Sequence, residues 1–157
     1  MKNDNYTLKA QEALATAQQI AMAQEHTVLS PLHLLHALLA DDKGIAITIL
    51  KKIGTDVTRV RTMVQSELKR LPVGKTDQIA PEDSLRNVIL NAHNQAEKLG
   101  DSYISVDHLL LALAEVKSDA KEILSVNSIT PETIGAVLQE VRNGEKVTSD
   151  NPEATYQ

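Results

Sequence analysis

The chain has 157 residues, 42% hydrophobic and 24% charged, with a net charge of −5 and no Cys, Trp or Phe. That length suits one compact domain or two small halves sharing a core, and the apolar and charged fractions exclude global disorder. Without Cys there are no disulfides, thiolate nucleophiles or Cys-ligated zinc, and an acidic chain whose only Phe, Tyr or Trp residues are Tyr6, Tyr103 and Tyr156 fits neither duplex nor single-strand nucleic-acid binding.

The longest apolar run, Leu109–Ala114, falls far short of the roughly 20 residues that span a bilayer. The start, Met1–Asn5, leads into no signal-like apolar region. The expectation is a soluble, cytoplasmic, mostly helical protein with no membrane partner.

An internal duplication organises the chain. Leu29–Leu38 aligns without gaps onto Ile104–Leu113 at an offset of 75, and residues 8–38 share eight identities with 83–113. Carried backwards, the offset sets Ala17 on Ala92 and Ala21 on Ala96; near residue 50 it becomes 74, placing Ile49–Leu50 on Ile123–Leu124. Repetition at this scale predicts a twice-built supersecondary unit.

Each half reads as four helices. Ala10, Ala13, Leu14, Ala17, Ile20 and Ala21 recur at three- and four-residue steps, and so do Leu85, Val88, Ile89, Ala92, Ala96 and Leu99. Ser30 and Ser105 are N-cap candidates for the second helices, and Pro31 suits a first helical position. The third helices are expected over about 44–53 and 119–126, with Gly54 as a left-handed C-cap. The fourth start after Asp56 and after Thr130. No stretch alternates with period two long enough to predict a sheet. The fold class is therefore all-α, eight helices in two pseudo-repeats of four. Residues 1–75 form the first repeat, 76–144 the second, and 145–157 a polar linker.

Few residues suggest chemistry. Gly74-Lys75-Thr76 matches the end of a phosphate-binding loop, but Lys69 stands where the pattern needs its first Gly. His33 and His36 share a helix face, yet no Glu sits in a zincin spacing, so no metal site is expected. His33 and His108 hold equivalent positions in the two halves, which argues for a repeated structural role such as fixing a helix start. Asp101 and Asp107 bracket the most motif-like stretch of the second half; a capping role and a binding role both fit them. No catalytic residue is expected.

The stretches Ser30–Leu39 and Gly100–Leu113, with the opening Tyr6–Leu14, resemble the Clp N-terminal repeat domain. The Leu71-Pro72 pair and Val141–Val147 are most similar to the disaggregase branch of that family. The resemblance implies a non-enzymatic domain that recruits unfolded or aggregated polypeptide to an AAA+ ring of the same protein, which works with the Hsp70 system. It further implies a monomeric isolated domain, a hexameric full-length protein, and ATP with Mg in motor modules rather than in this domain. An alternative within the family is an adaptor-docking domain of a protease unfoldase. The implied substrate-binding positions are Thr7, Asp101 and Asp107, with His108 where relatives often carry an apolar residue, and Tyr6 and Tyr103 as the plausible rings of an otherwise aliphatic groove. Relatives that bind phosphorylated arginine carry a carboxylate just before the His in both halves. Asp107 keeps it here, but Leu32 replaces it in the first half, which breaks the paired clasp.

Overall fold

A computed structural model describes residues 5–142, 147, 148, 150 and 152. Eight helices are formed among them: α1 (Leu8–Ala23), α2 (Pro31–Ala40), α3 (Ile45–Ile53), α4 (Val57–Leu68), α5 (Asp83–Lys98), α6 (Val106–Glu115), α7 (Asp119–Val126) and α8 (Pro131–Arg142). The duplication is thus a duplication of helices.

The helix ends follow local chemistry. Thr7 caps α1 by accepting the Ala10 N–H, and Asp56 caps α4 by accepting the Arg59 N–H. Gly54 closes α3 at φ +95°, its N–H directed at the Leu50 and Lys51 carbonyls.

The helices α2 and α6 occupy the centre. In α2 all but His36 and Ala40 are buried, and in α6 all but Glu115. Each fully buried Leu in this core contributes about 1.5–3 kcal/mol. On α1 the buried stripe is Ala10, Ala13, Ala17 and Ala21, small enough to let α2 pack close. Contacts of α2 with α6 and α7, and of α3 with α6 and α8, join the repeats into one core.

Two short backbone pairings tie the halves together, too brief to leave any alternation in the sequence. The strands β1 (Val28–Leu29) and β2 (Ala80–Pro81) run parallel, with Leu29 opposite Pro81. Elsewhere Tyr6 bridges Ile104 in parallel, with Thr7 N–H to Ile104 O at 2.9 Å and Ile104 N–H to Asn5 O at 2.8 Å. Under the offset of 75, Tyr6 corresponds to Pro81 and Leu29 to Ile104. Each half therefore lends the residue before its first helix to the residue before the other half's second helix. This reciprocity is what a pseudo-two-fold relation between the repeats requires.

The stretch after α4 is held by backbone as well. Thr27 N–H donates to Pro72 O at 3.0 Å, and Gly74 N–H to Glu25 O at 2.9 Å. Of the segment expected as a polar linker, Val147, Thr148, Asp150 and Pro152 are described. Val147 and Pro152 are buried, while Thr148 and Asp150 are exposed. Its other residues lie outside the described residues, as do residues 143–146 of the Val141–Val147 motif.

The two α1-type helices end alike but not equally comfortably. Gly100 follows α5 at φ +72°, and its counterpart Glu25 follows α1 at φ +57°. A side chain in this left-handed region costs roughly 1 kcal/mol that glycine avoids. Glu25→Gly is expected to raise the unfolding free energy by about 0.5–1 kcal/mol, read as a higher urea midpoint with an unchanged slope. The reverse-sense change Gly100→Ala should lower it.

Candidate functional site

In both halves a histidine at the third position of the central helix is the organising side chain. In α2, the Ser30 N–H donates to His33 Nδ1 at 2.9 Å, while Ser30 Oγ accepts the Leu32 N–H. In α6, the Ser105 N–H donates to His108 Nδ1 at 2.8 Å. The histidine fills the place that Glu or Gln holds in a capping box. A backbone N–H only donates, so each Nδ1 is the acceptor and the ring proton sits on Nε2.

That Nε2–H then reaches the residue just past the preceding helix. His33 Nε2 lies 2.8 Å from His26 Nδ1, and His108 Nε2 lies 2.7 Å from Asp101 Oδ2. His26 and Asp101 are equivalents under the offset of 75. The expected repeated structural role of His33 and His108 is thus met: each ring pins a helix start to the end of its neighbour.

The halves differ in what surrounds the ring. The first half places buried Leu32 and Leu68 where the second places Asp107 and Arg142. Arg142 Nε and Nη2 donate to Asp107 Oδ2 at 3.0 and 2.7 Å, and Nη1 donates to Asp101 Oδ2 at 2.7 Å. Asp107 Oδ1 accepts the His108 N–H at 2.9 Å and the Ser105 hydroxyl. The side chains of Asp101, Asp107 and His108 are fully buried, and that of Arg142 is 8% exposed. Two carboxylates and one guanidinium are balanced by backbone N–H groups and by the positive end of α6.

Burial pushes the Asp101 carboxyl up, but hydrogen bonds from His108, the Val147 N–H and Arg142 outweigh it, and the group sits at about 2. Burial also works against the Arg142 charge; Asp107 and Asp101 overcome it and raise the group above its ordinary value. In the first half the backbone hydrogen bonds at His33 and His26 do not outweigh burial. His33 is lowered to about 4, chiefly by burial and then by His26, and burial lowers His26 as well.

Of the residues expected to bind substrate, Asp101, Asp107 and His108 are brought together as one internal cluster. Thr7 is buried and caps α1, adjoining the cluster's loop through the Tyr6–Ile104 bridge. Tyr103 is half-buried on that loop. Arg142, the partner of both carboxylates, is not among the expected site residues; its sequence signal is a buried-face position on the last helix that it shares with Leu68. A separate cleft of about 330 Å³ lies between α1, α2 and α3, with Ala13, Ala37 and Leu38 in its floor and Lys9, Glu12 and Asp41 at its rim. No group of three or more His, Cys, Asp or Glu is arranged to hold a metal ion among the described residues, and no helix among them is long and apolar enough to cross a membrane.

The family model of the Clp repeat (R) N-terminal domain matches residues 5–127. The chain belongs to that family. It is 36% identical over 165 aligned residues to the chaperone protein ClpB of Bacillus cereus, covering 100% of this chain and 19% of the relative. It is 39% identical to ClpB 1 of Parasynechococcus marenigrum, covering 98% of this chain and 18% of that one. The chain thus spans about a fifth of the length of these relatives. Among solved structures, the Hsp104 N-terminal domain from Candida albicans superposes with a TM-score of 0.85 at 25% identity, covering 95% of this chain and 99% of that one. A ClpV N-domain in complex with a VipB peptide shares the fold at a TM-score of 0.74 and 17% identity, over 96% of this chain and 91% of that one.

Removing Arg142 should leave two carboxylates buried with too few donors. Arg142→Met is expected to cost about 3–5 kcal/mol at pH 7 in urea unfolding, and the loss should shrink toward pH 4 as a carboxylate takes up a proton.

The histidine pair of the first half makes a separate acid signature. His33 binds its proton near 6.5 unfolded and near 4 folded, so between those values the unfolded chain holds more protons. Stability from this group is complete above about pH 6.5, falls as the pH drops through that window, and is gone below about 4. The loss is on the order of 3 kcal/mol. The Asp101 contribution persists above about 3.8 and disappears only as the pH falls through about 2. His33→Gln, which preserves a capping-box donor and acceptor, should flatten the slope of unfolding free energy between pH 4 and 6.5.

Proposed function

We propose that this chain is the substrate-recruiting N-terminal module of a ClpB-type AAA+ disaggregase, holding exposed segments of unfolded or aggregated polypeptide for an ATP-driven hexameric ring that works with Hsp70. The observation that carries the reading is end-to-end similarity to ClpB relatives in which this stretch is a fifth of the protein. ATP and Mg belong to the motor modules of such a protein, and the domain itself acts without catalysis.

The contact face in this reading is the loop 101–103 together with the start of α1. Leu8 is 47% exposed and Tyr103 half-buried on either side of the Tyr6–Ile104 bridge, and they supply apolar contact. Asp101, Asp107, His108 and Thr7 act beneath them as positioning residues, since their side chains are buried and fix the loop that presents its backbone. Affinity is weak, because a small face gains little against the entropy of ordering a flexible ligand.

Titration of the isotope-labelled chain with reduced, carboxymethylated lactalbumin, a permanently unfolded polypeptide, tests this. Amide shifts are expected at Leu8 and at 102–104. Shifts confined to the α1–α2–α3 cleft would move the site there, and no shift anywhere would overturn recruitment. A folded adaptor that binds where unfolded polypeptide does not would favour the docking domain of a protease unfoldase.

A further inference from the structure

The loop that presents Ser102 and Tyr103 already holds a piece of polypeptide backbone, and it is the chain's own. The Val147 carbonyl accepts from the Ser102 N–H at 2.7 Å and from the Tyr103 N–H at 3.3 Å. The Val147 N–H donates to Asp101 Oδ1 at 2.8 Å. Three residues on, the Asp150 carbonyl accepts the Leu8 N–H at 2.7 Å, at the first residue of α1. The Val147 side chain is 1% exposed, whereas Thr148 and Asp150 between and beyond are exposed.

The contacts described between this strap and the domain use strap backbone, the Val147 N–H and carbonyl and the Asp150 carbonyl. The Val147 side chain, β-branched and apolar, is buried beside them. This is the mode in which an extended peptide adds to an exposed edge: main-chain hydrogen bonds hold it and one pocket selects a side chain.

Asp101 sharpens the point. Its Oδ2 is engaged from within by His108 and Arg142, and its Oδ1 accepts the Val147 N–H. When the strap lifts, a carboxylate oxygen held in place by a buried cluster faces outward, together with the Ser102 and Tyr103 N–H groups. Facing outward, that oxygen takes water in place of the peptide N–H, and with the two amides fixed beside it the vacated seat matches another backbone N–H and C=O.

From this we infer that the loop 101–103 is a backbone-reading seat for an extended polypeptide segment with a Val- or Ile-sized residue, and that the Val147 strap occupies the seat in cis and competes with clients for it. The inference rests on the recruitment reading above and adds the ligand class and its regulation. Apparent affinity is the intrinsic one divided by the fraction of open seats, so a strap seated about nine-tenths of the time weakens client binding about tenfold.

The probe is a fluorescein-labelled peptide copying residues 145–152, added to the full 157-residue chain. Val147→Asp, which disfavours the buried seat in cis, is expected to tighten binding of the peptide five- to tenfold by fluorescence anisotropy. In the unaltered chain, saturation with the unlabelled peptide is expected to release the Val147 amide to rapid hydrogen exchange while Ser102 stays protected, a readout that holds even where the variant folds poorly. Equal affinities for both chains, or a Val147 amide still protected in the peptide complex, would overturn the shared seat while leaving recruitment intact. If neither this peptide nor carboxymethylated lactalbumin binds either chain, recruitment falls as well, and the inference falls with it.

Discussion

The imidazole at the third residue of α2 and of α6 is the constraint on which the rest of the architecture depends. One ring nitrogen accepts the N-cap N–H and the other donates to the turn that ends the preceding helix. Those two bonds fix, in each half, both where the central helix begins and how far the chain travels between helices. The residues just before the caps, Leu29 and Ile104, are then held in place to pair with Pro81 and Tyr6 of the opposite half. A side-chain bond inside each repeat thereby aligns the backbone bonds between repeats.

Starting from that shared frame, the two halves solve the space around the ring differently. The first closes it with Leu32 and Leu68 and accepts a His–His pair that is stable only while neutral. The second closes it with Asp107 and Arg142, which need each other and the α6 N-terminus. A buried ion pair adds little net stability over a well-packed apolar pair. What it adds here is direction: Arg142 and His108 hold Asp101 so that its second oxygen points toward the loop surface. The polar half is therefore the half equipped to present hydrogen-bonding groups outward.

Much of this was legible in the sequence because repetition amplifies weak signals. Ser30 and Ser105, or His33 and His108, mean little singly, but the same residue at the same place in two copies is hard to read as chance. The Ala stripe of α1, the Gly54 cap and the eight helices follow from periodicity and local backbone chemistry. The two-residue strands left no trace, since a pairing that short needs no alternation. Arg142 was hidden for another reason. A charged residue ending an amphipathic helix usually faces water or the helix dipole, and only the fold shows it turned inward onto two carboxylates 35 and 41 residues earlier in the chain.

In the proposed recruitment, the same buried cluster accounts for candidate residues that are not themselves exposed. A carboxylate used to receive a peptide N–H must be fixed before the peptide arrives, or the entropy of fixing it is charged against an already weak contact. Burial among Arg142, His108 and Thr7-bound backbone supplies that fixation, and in the proposed recruitment one oxygen and two amides are the working surface. A surface so small reads backbone rather than sequence, which suits a ligand defined by being unfolded rather than by any motif. In the proposed seat the backbone at Val147 and the backbone of a client are equivalent occupants, so the competition between them is set by how often Val147 is in place.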